Sequence, residues 1–157
     1  MAVDIGYEAI NRDDNWGYGY TVINMSAIAT KAGSVTSVDI WATTNIEGLV
    51  VATFYKTNGN TLKCRDSEAV AGVISGGSKV NKVVSLEVEI GDYIGCYFTD
   101  GKIEKDNSGY DGYWAERNDS CIIDNEKEYT VYSNRAISLG GYIGVAAAGR
   151  SFGFIMG

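Results

Sequence analysis

Apolar and polar residues alternate with a period of two along much of the chain. In Val84-Ser85-Leu86-Glu87-Val88-Glu89-Ile90 the side chains of Val84, Leu86, Val88 and Ile90 fall on one face, the pattern of a half-buried strand. Val38, Ile40 and Ala42 alternate with Asp39, Trp41 and Thr43 in a second strand, and Ile94, Cys96 and Phe98 with Tyr93, Gly95 and Tyr97 in a third. Both faces of the third carry large groups, which predicts a central position. Residues 49–55 and 61–65 flank Asn58-Gly59, and Asn-Gly supplies the positive φ angles of a type I′ hairpin turn. Ser75-Gly76-Gly77-Ser78 predicts a second connection, between strands at 69–74 and 79–90. Further strands are expected at 18–24, 112–115, 129–132, 136–139, 142–146 and 151–156. No stretch sustains a 3.6-residue period.

Roughly ten short strands with turn signals every 8–12 residues predict an all-β fold. The expected architecture is an antiparallel two-sheet β-sandwich with jelly-roll or Greek-key connectivity, one domain over residues 1–157. Val38, Ile40, Val84, Leu86, Val88, Ile94, Cys96 and Phe98 are its predicted core. Residues 100–127 are the longest weakly patterned segment and are expected to form a loop, where binding residues usually reside.

Composition narrows the chemistry. Thirteen Lys plus Arg stand against 20 Asp plus Glu, a net charge of −7, so the summed field opposes a phosphate backbone and no nucleic-acid partner is expected. Histidine is absent, which removes Ser-His-Asp and Cys-His nucleophile pairs and every histidine-based zinc site. Proline is absent too, so turns fall to Gly, Asn, Asp and Ser. Cys64, Cys96 and Cys121 are an odd number without metal-ligand spacing and read as buried thiols. The first residues show no basic stretch followed by an apolar run, and no apolar run reaches the roughly 18 residues of a membrane-spanning helix. Cytoplasmic synthesis without a signal peptide is the expectation, with no membrane partner and no cofactor.

Three constellations could carry function. The first is Tyr110-Asp111-Gly112-Tyr113-Trp114, with Trp16, Tyr18 and Tyr20 near the amino terminus. Flat aromatic rings stack on sugar faces while Asp and Asn hold hydroxyls, so these residues suit a glycan platform; equally, they suit packing or a subunit interface. The second is a cation site among Asp100, Glu104, Asp106 and Asp111, or Asp119, Asp124 and Glu126, which offer hard oxygen ligands without the spacing of an EF-hand. The third is a carboxylate pair for glycoside cleavage, Asp111 with Glu116 or Glu87 with Glu89.

The stretches Gly33-Ser34-Val35-Thr36-Ser37-Val38-Asp39-Ile40-Trp41-Ala42 and Val84 through Gly91-Asp92 to Tyr97 resemble the jelly-roll-type β-sandwich modules of bacteriophage virion proteins. A strand, then Gly-Asp, then an aromatic-rich strand is similar to the edge of modules in tail fibres, capsid decoration proteins and carbohydrate-binding domains. The resemblance spans the middle third of the chain and carries over no catalytic or ligand residue. It implies a non-enzymatic structural or surface protein of a phage particle, on the virion or another extracellular surface. Such a protein would associate with copies of itself or with other virion proteins. The glycine-rich tract at 141–153, with its three alanines, would then pack subunits together or close the sandwich. A glycan-binding module is the alternative, and a small glycoside hydrolase or lyase the third reading.

Overall fold

The computed structural model describes residues 2–145, an all-β fold with fourteen strands and no helix among them. In chain order these are β1 (Ile5–Gly6), β2 (Asp14–Gly17), β3 (Tyr20–Asn24), β4 (Gly33–Glu47), β5 (Val50–Asn58), β6 (Thr61–Ala69) and β7 (Lys79–Val88). There follow β8 (Tyr93–Tyr97), β9 (Asp100–Asp106), β10 (Gly112–Arg117), β11 (Glu126–Glu128), β12 (Thr130–Ser133), β13 (Ala136–Ile137) and β14 (Leu139–Val145). The first sheet runs β1-β14-β4-β9-β13, with β7 also on β4 and β2 also on β9; the second runs β11-β6-β5-β8-β3-β10-β12. The paired strands are antiparallel, and the two sheets pack as a β-sandwich.

Between the sheets lies the larger core, where Val38, Ile40, Val84, Leu86, Val88, Ile94, Cys96 and Phe98 are all buried, as the period-two pattern predicts. The central position expected for the third strand is met: β8 sits between β5 and β3. Gly95 makes that pairing possible, since a Cβ there would lie 2.6 Å from the Val22 carbonyl oxygen.

The second sheet curls until it nearly closes. β11 sits on one edge, beside β6, and β12 on the other, beside β10, yet only Tyr129 separates them in the chain. One residue spans at most about 3.6 Å, so the two edges are drawn together. Inside lies a second core of Ile23, Phe54, Leu62, Cys64, Trp114, Cys121 and Tyr129. The Asn60 side-chain oxygen accepts a hydrogen bond from Trp114 Nε1 at 3.1 Å and the Asn60 carbonyl one from the Tyr129 amide at 2.9 Å, tying β10 and the β11–β12 junction to the β5–β6 turn.

Four local expectations need correction. The β5–β6 hairpin pairs Asn58 with Thr61, so its turn residues are Gly59 and Asn60, with positive φ at Gly59 alone, which excludes type I′. The strand expected at 69–74 ends at Ala69, and residues 70–78 join the first sheet only through the bridges Ile46–Ile74 and Ala42–Gly76. Ile90 lies beyond β7 and is exposed. The expected loop at 100–127 contains β9, β10 and the start of β11; β9 hides because charged side chains are buried on both of its faces, as at Glu104 and Lys105. The strand expected at 151–156 and most of the glycine-rich tract lie outside the described residues. Gly140 and Gly141 serve packing within the chain: Cβ atoms there would meet the Tyr7 carbonyl oxygen at 2.5 Å and Val35 Cγ1 at 2.9 Å.

Candidate functional site: a polar cleft on the first sheet

Val38, Ile40 and Ala42 point from β4 into the core, so strand geometry turns Ser37, Asp39, Trp41 and Thr43 to the opposite, outer face of the first sheet. β7 places Asn81 beside Asp39 and Lys79 beside Trp41, while β14 sets Gly140 opposite Asp39 and Tyr142 opposite Ser37. This face is polar where the opposite one is apolar, and the amino-terminal segment crosses part of it.

That crossing is anchored by Arg12, whose side chain is buried. Its guanidinium donates to Ser138 Oγ and Asp106 Oδ2, both at 2.6 Å, and to the Tyr110 hydroxyl at 2.9 Å, and stacks 5.0 Å from the Tyr110 ring centre. Its backbone amide donates to Glu104 Oε1 at 2.6 Å, and Thr43 Oγ1 donates to Glu104 Oε2 at 2.5 Å. Here Asp106 and Tyr110 hold the chain together.

Beyond this network the face opens into a cavity of about 100 Å³ lined by Glu8, Ala9, Ile10, Asp39, Lys79 and Tyr142. It adjoins a shallower trough of about 560 Å³ that adds Asp4, Ser37, Asn81 and Ile143. Asp39 belongs to both and is only 4% exposed. Its Oδ1 accepts from Asn81 Nδ2 at 2.9 Å and its Oδ2 from the Tyr142 hydroxyl at 2.5 Å. The bond to Asp39, then burial and the surrounding carboxylates, push the Tyr142 hydroxyl up to about 12, so it stays a donor at neutral pH. Among the described residues no cation lies within salt-bridge distance of Asp39, although Lys79 lines both spaces. A buried carboxylate held by two neutral donors and keeping spare lone pairs beside a cavity is an acceptor wall for hydroxyl or N–H groups.

Sequence reasoning placed the site elsewhere. Tyr113 and Trp114 are neighbours on β10, so they face opposite ways: Tyr113 enters the core between the sheets, Trp114 the barrel. At 0% and 1% exposure neither offers a surface to a sugar or a second subunit within this fold. Trp16 and Tyr20 do come together with Tyr113. The Trp16 ring stands edge-on to Tyr20 at 5.0 Å, Tyr113 at 5.4 Å and Tyr132 at 5.3 Å, a wedge at the side of the sandwich. Tyr18 does not share the face of Tyr20; between β2 and β3, before Gly19 with φ +88°, it is 59% exposed. Asp111 is exposed in the turn before β10.

The cation candidates scatter. Asp100 caps the Gly101 amide at 2.9 Å, Asp106 pairs with Arg12, and Asp124 occupies a left-handed turn at φ 71°. Among the described residues no three acids or cysteines gather as a metal site. Glu87 and Glu89 use their backbone amides instead: Asp66 Oδ2 accepts from Glu87 N at 2.8 Å, Glu68 Oε1 from Ser85 N at 2.7 Å and Asp92 Oδ2 from Glu89 N at 2.9 Å. These carboxylates cap the edge of β7 and its continuation against pairing with another strand. The signal that could have found the cleft was Asp39, a carboxylate flanked on both sides by core residues of one strand. No protein-family model and no curated protein matches the chain.

Proposed function

We propose that this chain is a non-enzymatic recognition module, a rigid β-sandwich of the kind displayed on phage particles, that holds a glycan in the cleft at Asp39. The carrying observation is the Asp39 carboxylate, buried, unpaired with any described cation and fixed by Asn81 and Tyr142 at the wall shared by two cavities. Sugar hydroxyls both donate and accept: Asp39 and Ser37 answer the first need, Lys79 and the Ser37 hydroxyl the second. Half-buried Tyr142, and Trp41 further along the same face, add aromatic surface for a sugar ring. A glycan array followed by calorimetry on the full chain tests this. Binding should be lost in Asp39→Asn and weakened at least about tenfold in Lys79→Ala, with both variants folded. An array without a ligand, or a ligand bound equally by both variants, refutes it.

Self-association as a particle building block is the second reading. It now rests on apolar side chains left at the surface, Ile122 at 55%, Ile123 at 52% and Tyr18 at 59% exposure, and no longer on Tyr113 and Trp114. Light scattering at high micromolar concentration should then show an oligomer that Ile122→Asp with Ile123→Asp converts to monomer. A monomeric native chain removes this reading and leaves the glycan proposal standing.

A further inference from the structure

The aromatic wedge at the side of the sandwich contains a feature that the cleft does not use. Trp16 Nε1, the Tyr113 hydroxyl and Arg135 Nε are buried and meet no hydrogen-bond partner among the described residues. All three belong to one cluster. The Tyr113 and Tyr132 rings lie 5.6 Å apart, both rings abut Trp16, and the Arg135 guanidinium stands 5.6 Å over Tyr132. Trp16 Nε1 and Arg135 Nε can only donate, and the Tyr113 hydroxyl, on a residue with 0% exposure, cannot turn to bulk water. Burial raises the titration of that hydroxyl, which keeps its proton available. Leaving such donors unmet is costly, so a native structure rarely holds several together without a partner.

The surrounding charge says which partner fits. The Lys105 ammonium, on a residue only 8% exposed, lies 5.4 Å over the Trp16 ring. The Asp14 carboxylate, 3.7 Å from that ammonium, offsets its charge, whereas Arg135 forms no ion pair among the described residues. We propose that the wedge between the sheets binds a small monovalent anion of halide size, held by Trp16 Nε1, the Tyr113 hydroxyl and Arg135 Nε, with the Arg135 guanidinium supplying the charge. The anion supplies acceptors to three donors in a place where the net charge of the chain, −7, would otherwise repel it. This proposal is independent of the glycan cleft on the outer face.

Diffraction from crystals of the full chain grown in sodium bromide tests it, paired with thermal melts in bromide and in gluconate at equal ionic strength. The expected result is an anomalous peak within about 3.5 Å of the three donors. Saturating bromide should also raise the melting temperature by roughly 2 to 4 °C over gluconate. Tyr113→Phe and Arg135→Gln should each abolish that difference; Arg135→Gln removes a half-buried group and spares the core, so it remains readable if Tyr113→Phe misfolds. A peak without anomalous signal that bridges the donors, with equal melting in the two salts, assigns the place to a water molecule and overturns the proposal. A bromide shift that survives Arg135→Gln overturns it as well.

Discussion

The inside of the barrel and the outer face of the first sheet are both half-hidden surfaces of a β-sheet, built in opposite ways. The barrel interior is apolar, and Trp114 Nε1, one of its few polar atoms, meets Asn60. The outer face of the first sheet is buried in places as deeply, yet what it buries is Arg12, Glu104, Ser138 and Asp39. Apolar burial stabilises without selecting a partner, whereas buried polar groups fix directions and make acceptors and donors available to a ligand. The two aromatic-rich stretches therefore do not divide by sequence: Trp114 of one enters the barrel, while its neighbour Tyr113 joins Trp16 and Tyr20 of the other in the wedge between the sheets.

The largest expected effect comes from attacking the barrel. Trp114→Ala removes its largest side chain and leaves Asn60 without its donor, at a cost of about 3 to 5 kcal/mol in urea denaturation. The glycan affinity proposed for the Asp39 cleft should be unchanged where the variant remains folded. A cost below about 1 kcal/mol would mean that the interior is not a core, and the contrast between the two regions would fail.

Next is the polar face. Arg12→Met leaves Asp106, Ser138 and Tyr110 without their shared donor and should cost about 3 kcal/mol, since breaking a buried pair strands the remaining charge. Adding Asp106→Leu should recover part of that loss, because a stranded charge costs more than an apolar substitute. If the double variant is no more stable than the single one, the network is not limited by the Asp106 charge.

How far these regions were legible follows from the same contrast. The core between the sheets could be read because its strands keep an apolar face against a polar one: all eight expected core residues are buried, and only Ile90, expected on the same face as Val88, falls beyond the end of β7 and is exposed. β10 could be read as a strand but not as a wall shared by two cores, since Tyr113 and Trp114 present apolar groups on both faces and nothing local says what covers each. β9 was lost because burial of Glu104 and Lys105 depends on Arg12, Thr43 and Trp16, which are distant in sequence. The cleft at Asp39 was missed for a related reason. Its members Asp39, Lys79 and Tyr142 come from β4, β7 and β14, and only strand register brings them together.

Alkaline pH offers a gentler comparison. Tyr142 on the polar face titrates near 12 when folded and near its ordinary 10 when unfolded, and Cys64 in the barrel moves, chiefly through burial, from 9 to about 12. In that window the unfolded chain binds fewer protons than the folded one. The stabilising contribution is therefore complete below about pH 9, and is lost as the pH rises through about 12. Denaturation midpoints should fall steadily from pH 9 to 11, and Tyr142→Phe should make the fall shallower. A midpoint flat across that range would show that neither region holds its acids protonated.

The smallest expected effect is on the cysteines. Cys64 and Cys121 share the barrel core, Cys96 lies in the core between the sheets, and all three are free and buried. Burial pushes Cys96 up to about 12 and raises Cys121 well above its ordinary value, so the reactive thiolate is scarce in the native state. Reductant should leave the melting temperature unchanged, and a thiol reagent at pH 8 should label no cysteine until denaturant is added, then three. Rapid labelling of one thiol in the native chain, read by mass spectrometry, would locate an opening. If it falls on Cys121, the 118–125 segment, which hydrogen-bonds both Gly19 beside β3 and Cys64 on β6, opens without global unfolding. The barrel would then be the less rigid of the two regions, contrary to what its apolar interior predicts.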